Sequence, residues 1–132
     1  METIKIKPNK VKIEPKIKKE LKNLCVEEGQ VIIHCRIMTS HSELLRIWKN
    51  TFLVPHCNPK KISLLKYAEN ITFYPNWTTC KGGYYNFTLF FKRLPKNCET
   101  FDLIEDIPQS GGFFRKNIKR NKNDVYKIEV CA

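Results

Sequence analysis

Residues 84–105, YYNFTLFFKRLPKNCETFDLIE, constrain the fold of this chain more than any other stretch. Tyr85, Phe87, Leu89 and Phe91 fall on every second position, with Asn86 and Thr88 among the residues between them. Successive side chains of a strand point to opposite faces, so this spacing predicts a strand with one aromatic face buried. Residues 94–97 break the pattern, because Pro95 cannot donate to a ladder and Asn97 tolerates turn geometry. Phe101 and Leu103 then resume the alternation around Asp102. The segment reads as two strands and a corner.

The same periodicity recurs along the chain. Residues 30–38 alternate cleanly, with Val31, Ile33, Cys35 and Ile37 inward and Gln30, His34 and Arg36 outward. Residues 39–43 form a polar loop, and 44–54 an extended segment bent or bulged near Asn50. A turn at 55–61 leads into a strand at 62–68, and residues 71–74 run extended up to Pro75. Gly82 and Gly83 introduce the central strand, and 108–112 (PQSGG) is a loop. Residues 113–118 and 125–130 are the last strands, joined by the basic turn 119–124. At the other end, residues 1–9 read as a flexible basic leader and 10–132 as a single domain. That domain opens on a proline-interrupted edge strand, followed by a short helical spacing at 17–25 and a turn at 27–30. Many short strands punctuated by Gly, Pro and Asn predict an all-β protein, either a two-sheet sandwich or a barrel.

The segments 45–54 (LRIWKNTFLV), 64–70 (LLKYAEN), 87–105 (FTLFFKRLPKNCETFDLIE) and 111–117 (GGFFRKN) form a recognisable succession. It resembles small immunoglobulin-like sandwich domains of uncharacterised bacterial proteins, some of which occur in envelope proteins. The resemblance implies an immunoglobulin-like two-sheet sandwich of about seven to nine strands. It supplies no catalytic residues.

The net charge is +11, and residues 1–22 and 113–127 each contribute +5 of it. Such an excess attracts anionic partners over long range without specifying one. No apolar run is long enough for a membrane span, and residues 1–10 lack the apolar core of a signal peptide. The expected compartment is the cytoplasm if Met1 is the first residue, and the envelope if an export signal has been removed. In a reducing compartment the six cysteines (25, 35, 57, 80, 98 and 131) are expected to be free thiols.

His34, Cys35, His41, His56, Cys57, Cys80 and Cys98 supply zinc donors, but no C-x-x-C pair occurs, and neither a metal nor a cofactor is expected. A cysteine-dependent hydrolase would need Cys57 or Cys80 beside His41 or His56, with a third group orienting the base. The carboxylates Asp102, Glu105 and Asp106 read as a solvated edge facing the basic segments rather than a catalytic pair. The glycine pairs lack a phosphate-binding motif, and the sequons at Asn70, Asn76 and Asn86 carry meaning only after export. Phe113 and Phe114 precede Arg115, Lys116, Lys119, Arg120 and Lys122, and these five cations are the candidate contacts for a polyanion. One Phe of the pair is expected in the core, because neighbours on a strand face opposite ways. The expected role is non-enzymatic: a binding or accessory module presenting loops or an edge strand to another macromolecule, in the first place another protein. The alternative is a basic barrel of oligonucleotide-binding type that holds single-stranded nucleic acid, and a cysteine hydrolase comes third.

Overall fold

The structure, a computed structural model, describes residues 29–131. The leader, the proline-interrupted strand, the helical spacing at 17–25 and Cys25 lie outside the described residues. Every regular element among them is a strand: β1 (Val31–Thr39), β2 (Glu43–Leu45), β3 (Thr51–Pro55), β4 (Ser63–Glu69), β5 (Thr78–Cys80), β6 (Gly83–Phe91), β7 (Thr100–Glu105), β8 (Phe114–Lys119) and β9 (Val125–Glu129). The described residues are therefore all-β, as their periodicity predicts.

Seven of these strands form one sheet in the order β8-β7-β3-β4-β6-β1-β9, and β2 pairs with β5 in a separate ribbon. Neighbours in the large sheet run antiparallel, except that β9 lies parallel to β1. β4 joins the two halves: Ser63 and Leu64 pair with β3, whereas Leu65 and residues 67–69 pair with β6 after a register shift at Lys66. The Ser63 hydroxyl donates to the Lys92 carbonyl beside this crossing. At the far side, Phe114 and Cys131 exchange backbone hydrogen bonds of 2.9 and 3.1 Å. The two end strands thus meet, and the sheet is nearly barrel-shaped.

The alternating residues fill its interior. Phe87, Leu89 and Phe91 of β6 are buried, and the register sets them opposite Cys35, Ile33 and Val31 of β1, which are buried too. Phe101 and Leu103 of β7 complete the layer, with Phe101 edge-on to Tyr126 of β9 at 5.2 Å and Phe87 tilted against Phe113 at 5.5 Å. Each such side chain contributes roughly 1.5–3 kcal/mol on burial, so this inner face is the main source of stability. Tyr85 is only partly buried, because it lies near the open end of β6 and its hydroxyl donates to the Asn70 carbonyl.

The bend expected near Asn50 separates two strands that join different sheets. β2 belongs to the ribbon and β3 to the large sheet, with Ile47 bridged to Phe73 between them. The buried Thr51 hydroxyl donates to the Trp48 carbonyl at 2.6 Å and fixes the corner. β5 is an addition to the expected strands: three residues with one buried side chain, Cys80, leave almost no periodic signal. Asn117 interrupts β8 at φ 59°, opposite the register shift between Phe101 and Leu103 of β7. Asparagine tolerates this left-handed conformation, which fits a bulge in the β7–β8 pairing.

Candidate anion-binding groove

A groove of about 780 Å³ crosses the outer face of β6, β1 and β9 and reaches β8. The inward set of β1 leaves His34 and Arg36 outside, that of β6 leaves Asn86 and Thr88, and that of β9 leaves Lys127 and Glu129. Arg115 from β8 and Asn70, just after β4, also line the groove. Asn70 sits at φ 64°, and its side-chain amide donates to the Asn86 carbonyl at 2.5 Å.

The groove carries excess positive charge. Arg36 pairs with Glu129 at 2.9 Å and lies over the Tyr84 ring at 4.0 Å, while Arg115 donates to the Glu129 backbone carbonyl at 2.9 Å. Among the described residues, Lys127 has no ion pair and Glu129 is the only carboxylate that lines the groove. His34 shares a hydrogen bond of 2.9 Å with the Thr88 hydroxyl. Strand alternation could have nominated His34, Arg36 and Lys127, each outward on a strand. Only the parallel pairing of β9 with β1, invisible in the sequence, brings them together.

The five cations singled out by sequence fall into three placements. Arg115 enters the groove, and Lys116, Lys119 and Lys122 are exposed and make no ion pair among the described residues. Arg120 is instead a structural residue. Its guanidinium grips Asp124 at 2.5 and 3.0 Å and donates to the carbonyls of Pro95 and Cys98 at 2.8 and 3.2 Å. Hydrogen bonding to Asp124 pushes its pKa further up. A side chain holding four acceptors has little left for a polyanion. Phe113 enters the core and Phe114 stays outside, as strand geometry requires.

Of the three carboxylates expected at a solvated edge, Asp106 is exposed, but Glu105 and Asp102 are engaged within the fold. Glu105 shares its face with Phe101 and Leu103 and is buried, accepting from the Trp48 amide at 2.8 Å and the Phe113 amide at 3.0 Å. Burial pushes its pKa up, against the pull of those two amides and of Arg46. Asp102 accepts from the Asn117 amide at 2.8 Å and pairs with His56 Nε2 at 2.9 Å. Neither neutralises Lys116, Lys119 or Lys122.

Among the described residues no imidazole makes the hydrogen bond to a thiol that a hydrolase of this kind needs: His34 bonds to Thr88 and His41 to Ser40. Both ring nitrogens of His56 are engaged, Nδ1 with the Thr100 hydroxyl at 2.6 Å and Nε2 with Asp102, so neither faces a thiol. Cys80 is buried, and its thiol is pushed up by burial and by Glu43. Burial also pushes the Cys35 thiol up to about 12. Thiolates are the nucleophilic form, so both are poor nucleophiles. Among the described residues no group of three His, Cys, Asp or Glu side chains is placed to hold a metal.

One cluster escaped sequence reasoning. The Arg46 guanidinium lies 3.7 Å from the centre of the Trp77 ring and 4.5 Å from that of Tyr74, which stacks on Trp48 at 3.9 Å. Arg46 and Trp48 flank the buried Ile47 and so face outward together. This ladder satisfies itself through cation–π contacts and stiffens the ribbon side of the molecule. No helix among the described residues is long and apolar enough to cross a membrane. Comparison with protein-family models, with curated proteins and with solved structures finds no match.

Proposed function

We propose that this domain is a non-enzymatic binding module for another protein, and that the groove across β6, β1 and β9 receives an acidic segment of that partner. The observation that carries this reading is the groove's charge: Arg36, Arg115 and Lys127 face a single carboxylate, Glu129, which Arg36 already holds. Guanidinium forks suit carboxylates, and Asn70, Asn86 and Thr88 supply further hydrogen bonds. Docking on this face is better supported than docking on an edge strand, because the end strands β8 and β9 meet at Phe114 and Cys131. The fold reading that goes with it is an immunoglobulin-like sandwich. In that view β8-β7-β3 forms one layer and β6-β1-β9 the other, with β4 crossing between them. Contacts such as Phe101 on Tyr126 support two facing layers.

A second reading, a binder of single-stranded nucleic acid, is favoured by the near closure of the sheet and the net charge of +11. Grooves for single strands stack bases on aromatic rings. The ring beside this groove, Tyr84, is already covered by Arg36. The protein reading therefore stands first. Fluorescence anisotropy with a labelled Glu-rich peptide and a labelled oligonucleotide tests it. Replacing Arg115 and Lys127 together by Gln should weaken peptide binding at low salt, and replacing Lys119 and Lys122 should leave it unchanged. Peptide binding indifferent to Arg115 and Lys127 would overturn the reading. Tighter oligonucleotide binding, lost with Lys119 and Lys122, would put the second reading first.

A further inference from the structure

Two turns that meet at one end of the sheet bring a pair of cysteines together. The turn after β3 carries Cys57, whose exposed thiol donates to the Asn97 side-chain oxygen at 3.6 Å. The turn before β7 carries Cys98, buried, with its thiol donating to the Thr100 carbonyl at 3.2 Å. The Cys57 thiol therefore rests on the residue next to Cys98, and Pro55 pairs with Phe101 where the two turns leave the sheet. Both turns are pinned. The His56 amide donates to the Thr100 carbonyl at 3.0 Å, and the His56 ring is held by Thr100 and Asp102. On the other side, Arg120 donates to the carbonyls of Pro95 and Cys98.

We propose that Cys57 and Cys98 form a thiol–disulfide exchange site whose substrate is a small-molecule disulfide such as oxidised glutathione. The exposed Cys57 loses its proton to solvent and attacks one sulfur of the disulfide, forming a mixed disulfide and releasing one thiolate, which takes up a proton. Cys98 then gives up its proton and attacks the Cys57 sulfur, releasing the second thiol. The result is a Cys57–Cys98 disulfide. Two protein thiols have been oxidised and one small-molecule disulfide reduced to two thiols.

The surroundings favour this order of events. Cys57 is the accessible sulfur, and access and thiolate fraction govern the first step. Burial and the neighbouring Cys57 push the Cys98 thiol up, while Arg120 pulls it down. Capping Cys57 as a mixed disulfide removes its opposition to ionisation of Cys98 and leaves Arg120 in place. Attack is then intramolecular, between turns already held together. The other buried thiols, Cys35 and Cys80, have no such route to solvent. The bridge would tie the turn after β3 to the turn before β7 and constrain the unfolded chain between residues 57 and 98.

The test uses the full reduced chain, incubated with oxidised glutathione near neutral pH and then mapped by peptide mass spectrometry without reduction. The expected first product is the intramolecular Cys57–Cys98 disulfide, with Cys35 and Cys80 still free and the urea midpoint raised above that of the reduced protein. Cys98→Ser should stop at a glutathionyl group on Cys57, and Cys57→Ser should leave Cys98 unmodified. A lasting glutathionyl group on Cys57 of the wild-type chain, with Cys98 still free, would overturn the proposal. So would a first cross-link through Cys25 or Cys131. The wild-type map decides the question even if neither variant folds.

Discussion

Replacing Glu105 tests whether a carboxylate on the inner face is a structural keystone. Its two oxygens accept from the Trp48 amide at 2.8 Å and the Phe113 amide at 3.0 Å, so it staples the corner before β3 and the approach to β8 onto the end of β7. In Glu105→Ala both amides lose their acceptor. An unsatisfied buried donor costs about 1–3 kcal/mol. The Phe113 amide is sealed in the core, whereas the Trp48 amide sits where water can recover part of the loss. Removing a desolvated charge offsets a further part. The expected net loss is about 2–3 kcal/mol for Ala. It is about 1 kcal/mol for Gln, whose amide retains one acceptor but turns its NH2 toward the other donor. Urea unfolding at constant m-value measures both. Burial raises the folded pKa of Glu105. The linked stability is therefore fully present below the ordinary glutamate range and is lost as pH rises through the raised value. Wild-type stability relative to Glu105→Gln should accordingly fall as pH rises above the ordinary glutamate range and then level off. An Ala variant within about 0.5 kcal/mol of wild type would refute the reasoning, because a loss that small is ordinary for a surface change.

Phe87→Ala should cost about 3–5 kcal/mol and leave little folded protein by circular dichroism, since the ring fills the core between β1 and Phe113. Lys119→Gln with Lys122→Gln should leave the urea midpoint unchanged and flatten any salt dependence of polyanion binding by up to about two ion equivalents. Arg120→Gln, by contrast, should lower the unfolding free energy measured in urea by about 1–3 kcal/mol, because it abandons Asp124 and two turn carbonyls. Gly112→Ala should destabilise the approach to β8, because a Cβ there would overlap the Glu105 carbonyl oxygen; thermal unfolding checks it.

Much of the secondary structure follows from the sequence alone, for a local reason. Period-2 alternation depends only on which side a strand residue points, so Val31, Ile33, Cys35 and Ile37, and likewise Phe87, Leu89 and Phe91, declare their buried face without knowledge of any neighbour. The same rule separates Phe113 from Phe114, and read one step further along β7 it would have placed Glu105 inside with Phe101 and Leu103. There the residue type misled: a carboxylate reads as solvated unless the two amides that receive it are known, and these come from residues 48 and 113. β5 is three residues long, too short for periodicity to mark. Strand order is a different kind of information. The parallel placement of β9 beside β1, the sharing of β4 and the meeting of Phe114 with Cys131 join residues far apart in the chain, by a balance of backbone pairing and packing that no local pattern records. Those pairings put Lys127 beside His34, and Arg115 beside Glu129. They also commit Arg120, one of five similar cations in the sequence, to holding a turn. Local alternation fixed which side chains face out; only tertiary pairing decided which of them share a groove.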